Sequence, residues 1–99
     1  MENEFRILIH TRTSAGFETL GEFYVGTDEA RAVRLFRSLK GSPDNIDNGL
    51  LIMELSSICR GLPLDIQMIH CTLDELAENC RTITKHVFNS LNFGKPSIG

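Results

Sequence analysis

The 99 residues include ten Lys and Arg against 13 Asp and Glu, a formal net charge of −3, and are 41% hydrophobic. That is enough chain for one domain with an ordinary globular balance, and its acidity speaks against a dedicated nucleic-acid or anionic-membrane surface. No apolar run nears the ~20 residues of a membrane span, and the acidic start from Met1 to Glu4 lacks the positive charge and apolar stretch of a signal peptide. Cys59, Cys71 and Cys80 are odd in number and lack CxxC spacing. They fit free thiols in a reducing compartment, so a cytoplasmic location is expected.

Much of the chain reads as if written twice at an offset of 45: Ile7 matches Ile52, Gly16 matches Gly61, Thr27 matches Thr72 and Ala32 matches Ala77. Residues 5–13 and 17–25 alternate as strands around Ser14-Ala15-Gly16, where glycine can supply a left-handed residue. Pairing positions symmetrically about that turn sets Phe5, Ile7 and Ile9 on a core face with Val25, Phe23 and Gly21. On the other face it sets Arg6 by Tyr24, Leu8 by Glu22, His10 by Leu20, and Arg12 by Glu18 as an ion pair.

Thr27 is the expected N-cap of a first helix running to about Lys40, with Ala32, Val33, Phe36 and Leu39 on its buried stripe. Residues 41–49 read as a loop. The second strand pair spans 50–58 and 64–71. A one-residue slip relative to the first pair sets Met53 and Leu55 against Leu64, Ile66 and Met68 and turns Glu54 outward, avoiding a buried unpaired carboxylate. Thr72 and Glu75 form a capping box. The helix behind it runs to about Asn92 on a stripe of Leu73, Leu76, Ala77, Cys80, Ile83, Val87, Phe88 and Leu91.

The expectation is therefore an α+β two-layer sandwich, ββαββα, with both helices on one face of a four-stranded antiparallel sheet. One domain covers 1–93, its ββα halves being 4–41 and 49–93, and 94–99 is a flexible tail. A right-handed crossover between interleaved hairpins gives sheet order 1-2-4-3, which resembles a circular permutation of the ferredoxin-like sandwich. That resemblance is topological and implies no activity.

The open face is then expected to carry Leu8, Leu20, Tyr24, Leu50, Ile52 and Ile69 among His10, Arg12, Glu18, Glu22, Glu54, Asp65 and Gln67. An apolar patch of that extent suggests a homodimer packed through Leu8, Leu20, Tyr24, Ile52 and Ile69. The function expected is a small non-catalytic structural or interaction domain whose partner is a second copy. The alternative is a small-ligand or regulatory domain with a site at His10, Glu22 and Tyr24.

Other chemistry carries less. Cys71, at the start of the second helix, is placed to have a lowered thiol pKa, but strand alternation points His70 the other way. His70, Cys71, Cys80 and His86 lack the paired spacing of a zinc site, and Ile46 interrupts any calcium-loop reading of Asp44, Asn45, Asp47 and Asn48. No catalytic residue, cofactor or metal is assigned. Arg31, Arg34, Arg37 and Lys40 form a basic stripe on the first helix, read as solvated surface.

Overall fold

The computed structural model describes the backbone of residues 3–59 and 61–92, with side chains except at 62–65 and 90–92. The tail expected at 94–99 and the side chain of Leu91 lie outside the described residues. The elements run β1 (Glu4–Thr13), β2 (Gly16–Tyr24), α1 (Glu29–Arg37), β3 (Leu51–Cys59), β4 (Leu62–Cys71) and α2 (Leu73–Asn92), so the ββαββα order and the antiparallel four-stranded sheet stand as read.

The sheet order differs. It is β2-β1-β3-β4, with β1 and β3 central, which removes the ferredoxin-like permutation. Both orders leave β2 and β3 parallel with one strand between them, so crossover handedness could not choose between them. Edge chemistry could. β4 contains Pro63, which cannot donate to a ladder on both sides, whereas β3 is buried from Ile52 through Ser57, as a central strand is.

Each hairpin carries a bulge. In the first, Ile7 pairs with Phe23 and Ile9 with Gly21 as expected, then the register shifts and His10 meets Thr19, leaving Leu20 unpaired. Arg12 consequently faces Phe17, and Glu18 moves beside Thr11, so the expected Arg12–Glu18 pair does not form. In the second hairpin, Met53 pairs with Ile69 and Leu55 with Gln67, and a shift past Ile66 sets Ser56 against Asp65. Glu54 turns outward as expected, but the slip amounts to two register steps split by a bulge, so Glu54 meets Met68 and the expected facing of Met53 and Leu55 with Ile66 and Met68 does not form.

The core lies between sheet and helices: Phe5, Ile7, Ile9, Met53 and Leu55 from the sheet meet Ala32, Leu35, Phe36 and Ile83. These positions show how far the 45-residue repeat extends. Ile7 and Met53 are core residues, as are Ile9 and Leu55, so the strands correspond at 46, and Ile52 faces the other side from Ile7. The helices correspond at 44: Asp28, not Thr27, caps α1 by accepting from Arg31 N–H at 3.2 Å, and it matches Thr72 of α2. Ala32 is buried and Ala77 exposed. The repeat is thus one of element order, with slightly different strand and helix spacings.

The α2 capping box forms, with Thr72 N–H donating to Glu75 Oε1 at 2.9 Å and Glu75 N–H to Thr72 Oγ1 at 3.1 Å. Its buried stripe is narrower than expected, since Leu73 and Phe88 are exposed. Asn79 takes a fully buried place on it, at the position corresponding to Leu35 of α1. Its Oδ1 accepts from Lys40 N–H at 2.8 Å and its Nδ2 donates to Lys40 O at 2.7 Å, clamping the chain where it leaves α1. Among the described residues, no helix is long and apolar enough to cross a membrane.

Candidate functional site

The outer sheet face is less open than composition suggests. After α1 the chain bridges the edge of β4 at Ser42–His70, then turns through a short 3-10 helix, Ile46–Asn48, toward β3. Buried Gly49 packs so close to β4 that a Cβ there would lie 2.5 Å from His70 Cβ. Arg12 fastens this segment, donating from Nε to Gly49 O at 3.0 Å and from the guanidinium terminus to Ile46 O at 3.3 Å. Its guanidinium carbon also sits 4.5 Å from the Phe17 ring centroid, a cation–π contact.

Four expectations about this face change. Gln67 pairs with core residue Leu55 and so leaves the face. Ile52 is on it but buried. Ile69 pairs with core residue Met53, packs against the helix-side core and leaves the outer patch. Glu54 is on the outer face as expected, but its side chain is only 8% exposed. Leu50, just before β3, stays open as expected at 67% exposed, and Ile66 of β4 is 36% exposed. The longest open apolar run follows β2: Phe17 is 51%, Leu20 58% and Tyr24 50% exposed, with half-buried Leu8 alongside.

His10, Glu22 and Tyr24 are not brought together around one seat. Glu22 is held by Arg6 at 2.7 Å, while His10 Nε2 meets Glu54 Oε1 at 2.7 Å and Nδ1 meets Thr19 Oγ1 at 2.9 Å. In the neutral ring, Nε2–H donating to Glu54 leaves Nδ1 to accept from the Thr19 hydroxyl. A hydroxyl–imidazole–carboxylate chain is an arrangement suited to acyl transfer. Here it sits on strand surface beside the Phe17 ring, 6.4 Å away, and none of its three members lines the described clefts. Its evident work is to satisfy a buried carboxylate. Sequence patterning places Glu54 and His10 on the same face; Thr19 joins them only through the bulge, which leaves no sequence signal.

The cysteine reading reverses. Burial and the Glu75 carboxylate push the Cys71 thiol up to about 11, opposing any helix-end activation, and Cys71 Sγ donates to Lys40 O at 3.4 Å. Burial also raises Cys80. Among the described residues, no cluster of His, Cys, Asp or Glu could hold a metal ion.

A cleft of about 550 Å³ lies where the end of β2 meets α2, its walls including Phe23, Tyr24, Val25, His86 and Val87. Burial and nearby Arg31 hold the His86 imidazole below its usual pKa. Glu22 also lines this cleft, so two of the three expected ligand residues belong here and His10 does not. Sequence reading missed the cleft because it assembles residues about sixty positions apart. No family model, curated protein or solved structure matches the chain.

Proposed function

We propose that this chain is a small, non-catalytic interaction domain that self-associates through the β1–β2 flank of its outer sheet face. The observation carrying this is the run of half-exposed apolar side chains along one strand, Phe17, Leu20 and Tyr24. Face-to-face burial suits it better than edge pairing, since joining two β2 edges about Leu20 would set Glu18 against Glu22 twice. The two strands of that flank, about nine residues each, offer roughly 10 by 30 Å, or about 300 Å² per partner, the small size of a weak and transient interface. Micromolar dimerisation is the corresponding strength. A cytosolic setting suits free Cys59, Cys71 and Cys80.

Light scattering on a sizing column tests this. Leu20→Glu should raise the dimer dissociation constant at least tenfold, about 1.4 kcal/mol, while the melting temperature of the monomer holds. A wild-type monomer at 100 µM, or a variant that associates as well as wild type, overturns the proposal.

A second reading, a small-ligand or regulatory domain, is favoured by the cleft, and it keeps Glu22 and Tyr24 while losing His10. A thermal-shift screen against metabolites tests it, a rise in melting temperature being the expected mark of a binder.

A further inference from the structure

The cleft between β2 and α2 is continuous with an edge strand, and that continuity bears on what fits it. Val25 N–H donates to Phe5 O at 2.9 Å, so Phe5, Ile7 and Ile9 bond toward β2 while Arg6 and Leu8 bond toward β3. Their β2 partners, Tyr24 and Glu22, therefore direct N–H and C=O away from the sheet. Both residues also line the cleft, whose inner wall is the apolar set Phe23, Val25 and Val87. Outward backbone groups beside an apolar recess match the two needs of an added strand: a ladder to join and a place for one of its side chains.

Charge narrows the occupant. Two cations stand here, Arg31 lining the cleft and Arg6 paired with Glu22 at 2.7 Å, against four acids: Glu22 and Asp28 on the cleft, Glu18 further along β2 and Glu29 in the first turn of α1. A second copy of β2 would bring its own Glu18 and Glu22 to this edge. We infer that the β2 edge and its cleft accept an extended basic segment of a partner protein as a fifth strand, which seats an apolar side chain between β2 and α2. The acids that discourage self-pairing select for such a strand.

The probe is an acetylated, amidated heptapeptide of alternating Lys and Val with a central Phe, compared with one carrying Glu in place of Lys. Binding and amide hydrogen exchange are followed by NMR on the full chain, with association state monitored by light scattering in the same samples. The dimer proposal can thus fail without affecting this test. The expected result is micromolar binding of the Lys peptide, at least tenfold weaker binding of the Glu peptide, and at least tenfold slower exchange at the Glu22 and Tyr24 amides. Glu22→Pro removes an outward N–H without touching the β1 ladder, and it should weaken binding at least tenfold beyond Glu22→Gln, which loses only the charge. Equal binding of both peptides, no binding at 1 mM, unchanged exchange at those amides, or Pro and Gln variants of equal affinity each overturn the inference. If the Pro variant does not fold, exchange in the wild type decides.

Discussion

Replacing Asn79 with leucine should destabilise the domain, although leucine fits the pattern of the helix better. The corresponding position of α1 is Leu35, the site is fully buried, and leucine has the higher helix propensity. Against this stand both backbone groups of Lys40, which bond to Asn79 at 2.8 and 2.7 Å. Stranding a buried donor or acceptor costs about 1–3 kcal/mol, and the Cys71 thiol at 3.4 Å already supplies the carbonyl with a weak second donor. The net loss should be about 2–4 kcal/mol, or roughly 10–25 °C in Tm for a domain of this size. Urea denaturation measures it directly, with an unchanged slope expected because the surface exposed on unfolding is the same. Asn79→Asp keeps the acceptor but sets a second carboxylate oxygen against Lys40 O in a fully buried site, so at neutral pH it should cost at least as much as Asn79→Leu. If Asn79→Leu stays within about 0.5 kcal/mol of wild type, the clamp adds nothing and apolar pattern alone governs this position.

Two further outcomes follow from close packing and burial. Gly49→Ala should cost about 1–3 kcal/mol in the same denaturation assay, because its Cβ would fall 2.5 Å from His70 Cβ; a neutral effect would mean that the segment over the outer face is not tightly seated. Cys71 titrates near 9.0 when unhindered and at about 11 in the fold, so the folded state holds its proton longer. Stability from this group is complete below pH 9 and declines as pH climbs toward 11, and Cys71→Ala should flatten that decline. An equally steep decline in the variant would assign the pH dependence to other groups.

Local patterning conveyed much of this molecule. Strand alternation, the Thr72–Glu75 box and helical spacing placed all six major elements, because each depends on neighbours in sequence. The sheet order goes with Pro63 on an edge strand and with the continuous burial of β3 from Ile52 through Ser57, features that topology rules alone do not weigh. Register was legible only as far as the bulges: one shift at Leu20 exchanged the partners of His10 and Arg12, and the break past Ile66 left Ile69 facing the core. No periodicity encodes an inserted residue, since its cost and benefit depend on strands that meet only in the fold. The candidate site was legible in type but not in assembly. Tyr24 and Leu20 were exposed as expected, whereas Ile52 was covered with the help of a connection whose composition reads as solvated loop, and Glu54 was buried against His10.

The seam between β1 and β3 has a further meaning. Leu8 faces Glu54, its own counterpart at an offset of 46, while Ile7 faces Leu55 and Ile9 faces Met53, each meeting the counterpart of the other. That reciprocity is the signature of an isologous contact, here made between two halves of one chain. The β1–β3 ladder has the arrangement that two ββα units related by a two-fold axis would have, and residues 41–50 are the tether between them. Two separately expressed halves would meet through the same ladder, which makes the tether a natural place to divide the chain for a complementation reporter.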